Sequence, residues 1–365
     1  MEGMTTQRAA QALNESSGIL HHWGSAVDGA AILSAQCGGQ RKPAVLITAG
    51  VHAHEVGGVW AALELMEQLQ TQQEVHILPL RDPFGFSGVN HCLSFAAGSQ
   101  IALADHASIL GYLGEHASII WQQDDINCFK LGDLGFVWHP ELKGLESFQR
   151  VNAQMTAALK EEPFVFSALF GKRVMMVNPA PYSEPGARMA RCWHAWISTD
   201  GRWLNLNRGF GEAEQPAEVS ALQNALEIIQ PGLVIDLQED DTAGFWFARP
   251  FSHRDDPLTS HLFSAAFETI QEKQIPLYHA SQMKTEIHRD LEIQGFLQPD
   301  EMFPGVYWLN QTLLGQGENF LSYAGHRAAA IGIEAPMKLP LKRRVKETVD
   351  ILSAFITGWQ QRVSL

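Results

Sequence analysis

Residues 43–55 read PAVLITAGVHAHE, and the segments around them decide the architecture. PAVLITAG (43–50) is an apolar run rich in β-branched side chains that stops at Gly50, the pattern of a buried strand. HEVGGVWAALELMEQLQ (54–70) then repeats apolar residues at helical spacing over a helix-sized length. VHILPL (75–80) is a second strand-like run, closed by Asp82-Pro83. Strand, helix and strand at this spacing predict a βαβ unit and hence parallel strands.

Working outward, GILHHW (18–23) and AAILSAQC (30–37) read as two strands joined at Val27-Asp28-Gly29, behind a polar leader over 1–17. Residues 87–170 carry helical periodicity broken by Gly and Pro and are expected to form a mostly helical insertion. The sheet is expected to resume at KRVMMVNPAP (172–181). A helix over 217–230 follows, stopped by Pro231-Gly232, then the strand LVIDLQ (233–238) and a helix near 260–274. AAAIGIEAP (328–336) is a late strand, and residues 341–361 form a C-terminal helix. The expected class is α/β: a mixed, largely parallel twisted sheet flanked by helices, one domain over 18–365 with an insertion.

The chain has 365 residues, 45% hydrophobic and 18% charged, enough to bury a large core. Its 26 basic and 40 acidic residues give a net charge of −14. That sign argues against a nucleic-acid partner, which would need basic surface to displace counterions from phosphate. Cys37, Cys92, Cys128 and Cys192 lie far apart with no CxxC pair, so neither a zinc knuckle nor a disulfide framework is expected. MEGMTTQRAAQALNESSG lacks a signal-peptide core, and no apolar run approaches the ~20 residues of a spanning helix. The expectation is a cytoplasmic protein without a membrane partner.

Several residues could carry chemistry. His52 and Glu55, three apart where a strand hands over to a helix, can project to one side and supply two ligands of a His₂Glu-type zinc site. They stand at the C-terminal end of a parallel strand, where α/β proteins bind ligands. In WLNLNRGF (203–210), Arg208 can clamp a carboxylate in two-pronged fashion while Asn207 adds a neutral group. Asp236 and Gln238 share one side of a strand. Glu334 ends an apolar run, where a carboxylate is unfavourable unless paired, metal-bound or catalytic.

Strand-HxxE-helix, NPxxY (178–182), LNRGF, apolar-DLQED and apolar-IEAP occur in this order. The arrangement resembles the zinc carboxypeptidase family, near its succinylglutamate desuccinylase and aspartoacylase branch, over about residues 18 to 360 without the insertion. The resemblance implies zinc as cofactor, with His52 and Glu55 as ligands. It implies Asn207 and Arg208 holding the substrate's carboxylate and Glu334 as the acid/base that activates water. An oxyanion-stabilising arginine would be Arg191 or Arg188, with spacing favouring Arg191. The reaction implied is hydrolysis of a C-terminal amide bond of a peptide-like substrate, or deacylation of an N-acyl amino acid.

The sequence departs from the family pattern in three places. Gln238 stands where the family has its third ligand, a histidine. Asn205 stands where an aspartate is usual. The mobile substrate-contacting tyrosine has only Tyr323 as a candidate. Gln238 could bind zinc through its amide oxygen, Asp240 or water could complete the sphere, or the metal could be lost, leaving a non-catalytic carboxylate binder. The acidic trio Glu239-Asp240-Asp241 could favour a basic substrate, or form a solvated loop with a capping role.

Overall fold

The computed structural model describes residues 5–140, 145–177, 189, 191–254, 256–283, 295–310 and 317–363. The NPxxY stretch and Arg188 lie outside the described residues. The chain begins with α1 (Thr6–Glu15), β1 (Ile19–Ser25), β2 (Ala31–Gly38), β3 (Arg41–Thr48), α2 (Val56–Gln68) and β4 (Gln73–Leu78). The leader is therefore helical at its centre. Thr5 caps α1, and Leu13 and Ala9 are buried against the core. Burying a leucine in this way contributes about 1.5–3 kcal/mol.

Next come α3 (Pro83–Phe86), α4 (Val89–Ala97), α5 (His106–His116), β5 (Ser118–Gln123), β6 (Ile126–Leu131), β7 (Leu134–Trp138) and α6 (Leu145–Glu161). The stretch over 87–170 is helix-rich, as expected, but it also supplies three strands. With β8 (Lys172–Val177), β9 (Trp193–Ile197) and β10 (Trp203–Asn205) these make a separate six-stranded sheet in the order β10-β9-β8-β7-β6-β5. KRVMMV, expected to return to the main sheet, instead pairs with β7 and β9. An apolar run shows that a strand is buried but not which neighbour it finds.

The chain then returns to the main sheet through α7 (Ala217–Ile229), β11 (Leu233–Asp240), β12 (Trp246–Pro250), α8 (Pro257–Glu272), α9 (Ala280–Met283), β13 (Leu297–Pro299) and β14 (Val306–Leu309). It closes with α10 (Phe320–Gly325), β15 (Ala329–Pro336) and α11 (Leu341–Arg362). The main sheet has nine strands in the order β1-β2-β4-β3-β11-β15-β12-β14-β13. Its centre, β4-β3-β11-β15, is parallel throughout, and antiparallel strands flank it. Buried on both faces, these central strands are continuous apolar runs rather than alternating ones. Helices α2, α8 and α11 cover one face, and α7 and α10 the other.

All four cysteines are free thiols. Among the described residues, no helix is long and apolar enough to cross a membrane.

Candidate active-site cleft

Three of the parallel strands end at one cleft. Gly50, just past β3, has φ +68°, a left-handed turn that favours glycine and directs the next residues over the sheet edge. His52 and Glu55 follow immediately, with His52 Nδ1 2.6 Å from Glu55 Oε1. β11 brings Asp236, Gln238 and Asp240 to the cleft, and β15 brings Glu334, which is directly opposite Gln238 in the ladder. Asn207 and Arg208 reach it from a single 3-10 turn, Leu206–Arg208. Trp193, Trp246, Phe296, Leu297, Leu309 and Leu321 supply apolar walls around a volume of about 230 Å³.

The imidazoles are held neutral. His52 stacks on Trp193 with centroids 4.6 Å apart and planes 15° apart. Loss of solvent pushes its pKa down to about 3, with the Arg208 and Arg81 charges adding to the effect. His54 lies behind it, and its Nδ1 accepts the Trp193 indole N–H. Burial takes His54 to about 3 as well. His52 Nε2, His54 Nε2 and Glu55 Oε2 are all buried with no hydrogen-bond partner.

The carboxylates crowd one another. Glu55 is raised well above the usual carboxylate range, first by burial and then by Glu239, Asp236 and Asp240. Glu334 is raised by burial and by Asp240, Glu55 and Asp236, with Arg208 opposing. Burial in turn lowers Arg208 to about 10, against the pull of Glu334. The unpartnered Nε2 of His52 and Oε2 of Glu55 offer this cleft two of the donors that a divalent cation needs.

Gln238 is oriented by its neighbour. Its Nε2 donates to Asp236 Oδ2 at 2.8 Å, and Asp236 also accepts from Thr48 and Arg81. The amide oxygen is therefore the end of Gln238 left for a ligand. Asp240 is used differently: its Oδ2 accepts the Trp246 indole N–H at 2.9 Å.

Two residues proposed from the sequence lie elsewhere. Arg191 is not part of the cleft lining; its guanidinium lies 5.0 Å above the Phe86 ring and donates to the Phe86 carbonyl. Tyr323 also falls outside the lining, its ring 5.5 Å from Phe210 and its hydroxyl accepting from Arg327. The acidic trio forms no solvated loop. Glu239 and Asp240 are buried strand residues, and Glu239 accepts from the Gly57 N–H in the first turn of α2 while pairing with buried Arg344. The capping part of that expectation therefore describes Glu239.

Two further residues shape the cleft without having stood out in the sequence. Arg81 ties Asp236 to Asn207 by hydrogen bonds of 3.0–3.1 Å and lies 4.7 Å over Phe320. Its position at the end of the VHILPL strand was the available signal. Trp193 comes from the second sheet, so only the tertiary structure could bring it to His52.

No family model matches the sequence, and no curated protein matches it. Solved structures do. A metallo-carboxypeptidase from Burkholderia cenocepacia is 12% identical with a TM-score of 0.50, covering 99% of this chain and 70% of that one. A Pseudomonas aeruginosa metallo-carboxypeptidase, in complex with (2-guanidinoethylmercapto)succinic acid, gives the same figures. Carboxypeptidase A from Helicoverpa armigera is 11% identical with a TM-score of 0.45, over 99% and 72% of the two chains. The fold of this chain is that of the metallo-carboxypeptidases.

Proposed function

We propose that the cleft is the active site of a zinc-dependent hydrolase that cleaves an amide bond next to a free carboxylate, as a metallocarboxypeptidase does. The observation that carries this reading is the convergence of His52, Glu55, Gln238, Asn207, Arg208 and Glu334 on one cleft from four separate parts of the chain. His52, Glu55 and the amide oxygen of Gln238 would hold the metal, a weaker set than two histidines and a glutamate. Bound there, zinc would polarise a carbonyl and lower the pKa of water towards ~7.

The remaining residues divide the work. Asn207 Oδ1 already accepts from Arg81 and from the Phe320 N–H, which leaves its NH₂ to donate to a substrate. Arg208 spends one nitrogen on the Asn207 carbonyl and keeps Nε buried without a partner, a donor that a carboxylate would satisfy. Glu334, beside this pair, would take the proton of the attacking water and return it to the leaving nitrogen. The succinic-acid compound bound to the Pseudomonas protein is itself a dicarboxylate, in keeping with this substrate class. No step is assigned to Arg191, whose guanidinium is engaged at Phe86.

Deacylation of N-acyl amino acids is the second reading. The small cleft favours it: about 230 Å³ falls below the ~300–1,000 Å³ common for drug-sized ligands, and suits one amino-acid-sized group. Parallel assays on acyl-amino acids and short peptides separate the two. Elemental analysis of protein purified without chelators tests both. Protein that carries no zinc, and whose melting temperature zinc leaves unchanged, would instead be a non-catalytic carboxylate binder.

A further inference from the structure

A second cluster of metal-ligating side chains lies outside the cleft. Asp82, His194 and Glu218 each place one ligand atom within 4.8 Å of the other two, and all three are buried. They come from the residue before α3, from β9 and from the first turn of α7. Side chains alternate along a strand, so Trp193 faces His52 in the cleft while its neighbour His194 faces the other side of the second sheet.

The hydrogen bonds within the cluster leave acceptors unsatisfied. His194 Nδ1 lies 3.2 Å from Asp82 Oδ1, which also caps the Gly85 N–H. Glu218 Oε2 accepts from Arg173 on β8 at 2.8 Å. Asp82 Oδ2, His194 Nε2 and Glu218 Oε1 remain buried with no partner. All three residues are buried, with relative exposures of 0%, 3% and 4%. Arg173 supplies the charge that faces Glu218, and the His194 ring faces Asp82. Buried polar atoms are rarely left without partners, and buried charges are normally paired or metal-bound.

We propose that Asp82, His194 and Glu218 form a second zinc site, distinct from the cleft, which clamps β9 of the second sheet to α7 on the main sheet. One imidazole and two carboxylates suit zinc, at nitrogen and oxygen distances of about 2.0–2.2 Å. The set is enclosed, so the ion enters as the chain folds and exchanges slowly with added chelator.

The test uses the full chain carrying His52→Ala and Glu55→Ala, which removes the cleft ligands. Protein refolded with zinc and then freed of loose metal should hold one equivalent. Protein refolded with chelator should hold none and melt at a lower temperature. Adding Asp82→Asn or Glu218→Gln, both close in shape to the native residues, should abolish the retained equivalent. Should either variant fail to fold, cobalt substituted into the His52→Ala/Glu55→Ala protein gives an absorption spectrum that reports one nitrogen and two oxygen donors. The proposal is overturned if that protein holds no zinc and melts at one temperature whether refolded with zinc or chelator. It is equally overturned if zinc stays in both the Asp82→Asn and Glu218→Gln forms. If wild-type protein holds one equivalent that Glu218→Gln removes and the His52→Ala/Glu55→Ala change spares, this site stands and the cleft's zinc assignment fails.

Discussion

Gln238 and Glu334 face each other across adjacent parallel strands, with the Gln238 amide turned so that its NH₂ meets Asp236 at 2.8 Å. This relationship defines what a substitution at Gln238 can do. An imidazole there would offer zinc a stronger donor than an amide oxygen. Gln238→His should tighten zinc binding at least about tenfold, or ~1.4 kcal/mol. Competition against a chromophoric chelator measures it; unchanged affinity would mean that residue 238 does not contact the metal.

Glu334 carries the proton in the proposed reaction without holding the metal. Glu334→Gln should lower turnover by roughly 10²–10⁴-fold, the usual contribution of a positioned acid/base. Zinc content by elemental analysis should stay the same. Near-native turnover in the variant would remove Glu334 from the mechanism.

Arg81 holds Asp236 and Asn207 in place with almost no solvent exposure. Arg81→Met leaves a buried carboxylate without its charged partner, which typically destabilises a fold by about 3–5 kcal/mol. Denaturant unfolding should show this loss. Any activity retained should show a raised KM, since Asn207 loses the bond that orients its amide.

His139 offers a pH signature away from the cleft. It is fully buried, and burial pushes its pKa from the ordinary 6.5 down to about 4, against the pull of a hydrogen bond to the Pro140 carbonyl. The folded state therefore prefers the neutral ring. Its contribution is fully present above pH 6.5 and is lost as pH falls from there towards 4, where only the unfolded chain readily takes the proton. The full difference is on the order of 3 kcal/mol. Unfolding free energies of wild type and His139→Gln, compared across this range, should converge as pH falls; parallel curves would refute the assignment.

The parts of the fold that depend on local pattern were legible. Both β-branched runs flanking 54–70, the hairpin at 27–29 and the C-terminal helix all lie where their periodicities put them, because those periodicities record which face each element buries. The second sheet was less legible. β6 and β7 are short apolar runs amid helical patterns, and short runs of that kind do not distinguish strand from helix. Candidate site residues were visible where a polar side chain stands near or just past the end of an apolar strand, as at His52, Gln238 and Glu334. Trp193 was not, since an aromatic residue in a buried strand looks the same whether it fills a core or flanks an imidazole.

By itself the sequence determined the parallel centre of the main sheet, since continuous apolar runs separated by an amphipathic helix leave few other ways to bury both faces of a strand. It also placed His52 and Glu55 between a strand and a helix, and Gln238 and Glu334 near the ends of two other strands. Only the tertiary structure decided that Arg191 rests on Phe86, that Arg81 braces Asp236, and that Asp82, His194 and Glu218 form one buried cluster. Those outcomes depend on which segments from separate elements meet, and such pairings leave no periodic trace in either partner.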